Sequence, residues 1–353
     1  MNYSLKIFSI FGIPVELHIS FLLLMLAIYF VALFNLIPGV DITIAVLITL
    51  LFVAVVLHEL THSYVAKSYG VEIERIVLLP IGGVSQMKEL PKDPHQELRI
   101  AVVGPLSNLV IAGVFYPIYL FFGNSLSHDL NFLLYYFILL NLLLGLFNLL
   151  PAFPMDGGRV LRAYLAERMN FIKATKLAAS IGKQLAIIMA IIGILIFNPF
   201  LIFIAIFVYL GADQEYNQVM TNTLLEGIRV RDIMSSEVKT VKPSDTVDSV
   251  LKLMFQHKHM GYPVIQDGNL QGIITFHDIS KLPENQRDHA VEEFMTKNVV
   301  VTDPKEEVSS TLEKLNVNRI GRLPVLDNGQ IVGIISKTDV MKALEMKKTT
   351  LSQ

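Results

Sequence analysis

The chain has 353 residues and a formal net charge of only −2, so nothing in its charge points to a nucleic-acid partner. Hydrophobic residues make up 53% and charged residues 17%, with a mean hydropathy of +0.53, which is too apolar for a wholly soluble protein. Cysteine is absent, which excludes disulfides, thiol catalysis and thiolate metal sites and leaves His, Asp and Glu for any metal.

That average conceals a division. Between Ile7 and Ala66 there is no Lys or Arg, whereas from Arg229 onward charges are dense. The first part reads as membrane-embedded and the last as soluble. The N-terminus lacks the basic segment, short apolar core and small-residue cleavage site of a signal peptide. Spans are predicted at about 17–37, 42–66, 100–122, 131–150 and 184–211. Asn198-Pro199 breaks the last into two, giving six. Positive charge gathers between spans two and three (Lys67, Arg75, Lys88, Lys92, Arg99) and between spans four and five (Arg159, Arg162, Arg168, Lys173, Lys176). The positive-inside rule then predicts a multi-pass cell-membrane protein with both termini in the cytoplasm.

The second span carries His58-Glu59-Leu60-Thr61-His62 near its cytoplasmic end. Residues four apart on a helix share a face, so both imidazoles can grip one ion. Glu59 is offset enough to reach a water on that metal as general base. Each ionisable side chain at membrane depth costs roughly 2.5–3.5 kcal/mol on insertion scales, so three together need a reason. The bland alternative is a polar cluster that binds neighbouring helices. A catalytic zinc usually has three protein ligands, and the best third candidate is Asp156 in Asn148-Leu149-Leu150-Pro151-Ala152-Phe153-Pro154-Met155-Asp156-Gly157-Gly158-Arg159. Its prolines and glycines prevent regular helix, and irregular backbone at that depth is tolerated where it lines a cavity. Asp156 also reads as an N-cap for a helix starting near Gly157.

These two motifs, in this order, resemble the site-2 protease family of intramembrane zinc metalloproteases over roughly residues 1–211. The resemblance implies His58, His62 and Asp156 as zinc ligands, Glu59 as the base, and Asn148 as a group that holds substrate backbone or stabilises the oxyanion. It implies hydrolysis of peptide bonds within or near the transmembrane segments of other membrane proteins, with the active site toward the cytoplasm. Thr61 stands where many members have a smaller residue. Ile73–Leu79 and Val84–Lys88 flank Pro80-Ile81-Gly82-Gly83 as a strand–turn–strand pattern. In the family this region resembles a small sheet whose edge accepts extended substrate, although a plain cytoplasmic hairpin fits the residues equally. Gly104-Pro105-Leu106-Ser107-Asn108, early in the third span, reads as close helix packing.

Residues 229–345 contain a duplication at a constant offset of 61 residues, pairing Met234 with Met295, Pro243 with Pro304, Gly272 with Gly333 and Asp278 with Asp339. Each copy reads as helix–strand–strand–helix and is too small to bury a core alone. The pattern is similar to tandem CBS domains (cystathionine-β-synthase domains). That resemblance implies Thr275 and Ser336 as phosphate contacts and Asp278 and Asp339 as ribose contacts for ATP or AMP, and allows a homodimer through this module. Each Thr/Ser-x-x-Asp also reads as a capping box variant.

The expected fold is therefore a polytopic α-helical membrane domain of about six spans, with a small β-hairpin or sheet at the cytoplasmic face, then a soluble α/β tandem CBS domain. Expected boundaries are 1–211 for the protease domain, 212–228 for a linker, 229–345 for the CBS pair (229–282 and 290–345) and 346–353 for a tail. The rival reading is a membrane metal or ion transporter with CBS regulation. It would use Glu59 as a ligand, whereas a protease needs it unligated.

Overall fold

The computed structural model describes residues 4–87, 91 and 93–351; Lys88 and Lys92, counted above as inside charges, and the tail beyond Leu351 lie outside them. Two compact units divide between Val219 and Met220.

The first unit opens with strands that alternation alone does not reveal, β1 (Ser4–Ile10) and β2 (Ile13–His18). They turn through Phe11-Gly12, both at positive φ. Helices α1 (Ile19–Leu33) and α2 (Ile42–Ser68) follow, then β3 (Ile73–Leu79) and β4 (Gly82–Met87). The four strands form one sheet in the order β1-β2-β3-β4, with β2 and β3 parallel and the other pairs antiparallel. The expected strand pair is thus half of a larger sheet, its second strand starting two residues earlier than predicted. Ile13, Val15, Ile76 and Leu78 of the sheet bury against Phe21 of α1 and Val56 and Leu60 of α2. Val56 precedes the HELTH segment and Leu60 lies within it, so the sheet is seated on the helix that carries it.

Five helices are long and apolar enough to cross a membrane among the described residues. They are α2, α3 (Pro94–Phe122), α4 (His128–Asn148), α6 (Phe171–Leu195) and α7 (Pro199–Leu225). The first of the six expected spans is shorter than predicted. Helix α1 has 15 residues, about 22 Å at 1.5 Å per residue against a hydrocarbon core of about 30 Å, because β2 takes the residues up to His18. The break at Asn198-Pro199 separates α6 from α7 as the proline requires. The short helix α5 (Asp156–Ala166) stands between α4 and α6. Helix α7 runs on through the stretch expected as linker, and Leu224 and Leu225 belong to the core of the second unit.

The second unit holds α8 (Val230–Ile233), α9 (Val247–His257), β5 (Gly261–Gln266), β6 (Asn269–Thr275), α10 (Phe276–Ile279), α11 (Val308–Val317), β7 (Arg322–Asp327), β8 (Gln330–Ser336) and α12 (Lys337–Leu351). Its sheet runs β5-β6-β8-β7. Both hairpins turn through two residues at positive φ, Asp267-Gly268 and Asn328-Gly329, the turn chemistry that matches strand twist. The repeats interlock. Met234 of the first packs its sulfur on Gly333 of the second, and Met295 of the second packs on Gly272 of the first. Each glycine is a floor for the other copy's methionine, so neither copy closes its core alone.

Candidate functional site

Helix α2 carries His58 and His62 one turn apart, with ring centroids 4.7 Å apart and planes at 77°. Asp156 comes from the start of α5, beyond a loop that the two following glycines close. A Cβ on Gly157 would meet the carbonyls of Leu149 and Leu150, and one on Gly158 would lie 2.6 Å from the Phe153 nitrogen. The Phe153-Pro154 peptide is cis. His58 Nε2, His62 Nε2 and Asp156 Oδ2 form a triangle with every side 3.1 Å. All three residues are buried, and they form the one His/Asp/Glu group suited to a metal among the described residues.

The outer ring nitrogens bear on the protonation of the triangle. His62 Nδ1 lies 2.6 Å from the Ile100 carbonyl oxygen, which can only accept, so Nδ1 carries the proton and Nε2 presents a lone pair. His58 Nδ1 lies 2.6 Å from Asn108 Oδ1. With both rings neutral, three acceptors face one another, an arrangement that a cation relieves. A tetrahedral ion with ligands at about 2.0–2.1 Å spaces them by about 3.3 Å, close to what is seen. The donor set therefore fits zinc. Asp156 is the first residue of α5 and its carboxylate makes no cap bond, so the N-cap reading fails and Met155 takes that position. The carboxylate faces the histidines instead.

Glu59 is half-buried beside the triangle and makes no hydrogen bond or ion pair among the described residues. Strand β4 lies against it, since a Cβ on Gly83 would come within 2.7 Å of Glu59 Cγ. Asn148, at the end of α4, donates its amide to the Leu144 carbonyl at 3.0 Å, and no hydrogen bond joins it to the triangle. Thr61 donates to the His58 carbonyl at 2.7 Å and stays out of the cluster.

Two contributions go beyond the close helix packing expected of residues 104–108. Gly104 on α3 sits against the His62 ring, where any Cβ would collide with the imidazole. Asn108 and Asn141, both fully buried, stand behind His58. The only signal for them was asparagine inside otherwise apolar spans.

The Peptidase family M50 model matches residues 46–125 and 117–191, and the CBS domain model matches residues 230–285 and 291–346. A zinc metalloprotease of Methanocaldococcus jannaschii is 45% identical over 98% of this chain and 97% of that protein. The chain belongs to peptidase family M50. A solved site-2 protease from the same organism is similar at 50% identity, covering 61% of this chain and 95% of that one, with a TM-score of 0.46. A solved CBS domain pair of protein MJ0100, in complex with 5-methylthioadenosine and S-adenosyl-L-methionine, is 30% identical over 34% of this chain and 98% of that one, with a TM-score of 0.32. As an M50 peptidase this chain is a multi-pass membrane zinc metalloendopeptidase with a C-terminal CBS pair, and the transporter reading is set aside.

In the CBS pair of this M50 peptidase a cavity of about 560 Å³ is lined by Ser336 and Asp339, with Lys239, Lys258, Arg322 and Lys342 against Glu237. Thr275 and Asp278 do not line it. Both Thr/Ser–Asp pairs form capping boxes, with Thr275 Oγ1 donating to Asp278 Oδ2 at 2.6 Å and Ser336 Oγ to Asp339 Oδ2 at 2.7 Å. Burial, helped by the charges of Arg322 and Lys239, holds the His259 imidazole in the same cavity below its ordinary pKa. The lining carries excess positive charge.

Placing a methyl on Gly104 would put it 2.0 Å from His62 Nε2 and should push that ring out of the triangle. Gly104→Ala is expected to lower zinc content well below the about one ion per chain that a three-ligand site holds, as measured by elemental analysis of the purified protein.

Proposed function

We propose that His58, His62 and Asp156 hold the catalytic zinc, that Glu59 is the general base, and that the substrate is a transmembrane segment of another protein. The observation that carries this reading is the triangle of three acceptor atoms 3.1 Å apart beside Glu59, which makes no hydrogen bond or ion pair among the described residues. When bound, zinc supplies a Lewis acid that polarises the scissile carbonyl and acidifies water. Glu59 takes the proton of the attacking water and passes it to the amine as the C–N bond breaks and a C–O bond forms. Asn148 keeps one amide hydrogen beyond its Leu144 bond for the substrate backbone or its developing oxyanion. Substrate must be extended to be cut. Strand β4 is the last strand of its sheet among the described residues and lies along Glu59, which suits it as a template on which a substrate strand adds by backbone hydrogen bonds.

The orientation proposed follows the Lys/Arg asymmetry, with the α3–α4 junction outside and both termini and the zinc site toward the cytoplasm. The proposed domains are 1–211 and 229–345, with α7 carrying the chain from one to the other through 212–228. The cationic cavity beside Ser336 and Asp339 is proposed to take an adenine nucleotide, its phosphates meeting Lys239, Arg322 and Lys342. A nucleotide that binds one arrangement of the pair better than another shifts activity only by that difference.

Three outcomes test these assignments. Glu59→Gln should keep zinc and lose about 10²–10⁴-fold in cleavage of a co-expressed single-span protein, the usual worth of a general base. Loss of zinc as complete as in His58→Ala would show instead that Glu59 is a ligand. Reporter fusions at Asp129 should read outside and at Arg168 inside; the reverse pattern would place the zinc site on the opposite face. ATP or AMP should bind the full-length protein and change its apparent substrate affinity by up to about 150-fold, and Asp339→Ala should abolish both effects while zinc stays. Calorimetry without nucleotide binding would reduce the pair to a structural module.

A further inference from the structure

The two histidines are held by different devices. His62 donates Nδ1–H to the Ile100 carbonyl, an atom with no donor form, so its tautomer is fixed by backbone. His58 faces an asparagine, whose amide can turn to present either oxygen or nitrogen. Which end it presents decides the ring. An oxygen accepts from Nδ1–H and leaves Nε2 as a lone pair, whereas an NH₂ donates to Nδ1 and forces the proton onto Nε2, where it would block a metal.

What orients Asn108 lies one residue further away. Its Nδ2 is 3.1 Å from Asn141 Oδ1, and Asn141 Nδ2 is 2.8 Å from the Phe137 carbonyl oxygen, one turn back on α4. That carbonyl can only accept, so Asn141 must turn its NH₂ toward it and its oxygen toward Asn108. Asn108 must then turn its NH₂ toward Asn141 and its oxygen toward His58, 2.6 Å from Nδ1. Both amides are fully buried, so a reversed end would face a like partner at the cost of a lost buried hydrogen bond.

We propose that Asn141 and Asn108 form a directional amide relay, anchored on the Phe137 carbonyl, that sets the His58 tautomer so that Nε2 is free for the metal. The inference rests on the zinc reading above for what Nε2 meets, and on hydrogen-bond direction alone for the tautomer. Asn108 and Asn141 are positioning residues. Asn141 touches neither His58 nor the triangle, yet it decides the polarity of both bonds that follow.

The test uses the full-length protein in detergent, with zinc affinity measured by competition against a chromophoric chelator. Nitrogen NMR of the histidine-labelled, metal-stripped protein at alkaline pH reports the tautomer, with the His58 signal assigned by its loss in His58→Ala. Wild type should show the His58 proton on Nδ1. Asn141→Leu, which frees Asn108 to turn, should move that proton toward Nε2 and weaken zinc binding by about 10–100-fold, the usual loss when an outer partner of a ligand is removed. Asn141→Asp with a protonated carboxyl donates to the Phe137 carbonyl and still offers an oxygen to the Asn108 amide, so it should stay close to wild type in both readouts. Zinc binding by Asn141→Leu at wild-type strength would overturn the relay, as would a wild-type His58 protonated on Nε2. If Asn141→Leu does not fold, the wild-type spectrum and Asn141→Asp still decide. A wild type that holds no zinc while His58 keeps its proton on Nδ1 would overturn the metal assignment and uphold the relay.

Discussion

Three lone pairs held 3.1 Å apart in an apolar helical bundle repel one another, and the membrane unit is built to keep them there. An unpaired polar group in such surroundings costs on the order of several kcal/mol, so the arrangement persists only if each member is fixed from behind. His62 leans on a backbone carbonyl, His58 on an asparagine, and Asp156 on the first turn of α5. A bound cation converts the same repulsion into the strongest attraction in the site.

Holding α5 at the right depth is the next requirement. Arg162, one of the most deeply buried side chains, pairs with Glu97 of α3 and, at 2.9 Å, with Glu215 of α7. Its guanidinium also lies 5.1 Å from the Phe153 ring and 4.9 Å from the Phe171 ring. One cation thereby ties together α3, α5, α7, the Asp156 loop and the start of α6. Removing one partner of such a pair leaves a buried charge behind, a loss of about 3–5 kcal/mol in comparable cases. Glycine supplies the close approaches: Gly104 lets α3 reach His62, and Gly211 brings α7 against Pro154. Helix α7 thus touches the loop that carries Asp156, and its last turn lies in the core of the CBS unit.

The sequence carried the parts of this protein that depend on local spacing. Two histidines four residues apart share a helix face whatever surrounds them, and Asn198-Pro199 divides the last apolar stretch into two helices. A constant offset of 61 residues announces a duplicated unit. Six apolar stretches were legible, but the length of the first was not. Val15, Glu16 and Leu17 pair with β3, some 60 positions away, and that pairing is invisible to any local window.

Only the tertiary structure decided the relations between distant segments. Asp156 reads equally well as a cap or a ligand until α5 is docked on α2, and docking turns its carboxylate to the histidines. Asn108 reads as a packing residue until α4 brings Asn141 behind it. The Thr/Ser–Asp pairs read alike in both repeats, yet only Ser336 and Asp339 line the cationic cavity described here. A helix fixes which side chains share its face, because the backbone repeats every 3.6 residues. Which acceptor finds a donor across the bundle is set by packing, and packing belongs to the whole chain.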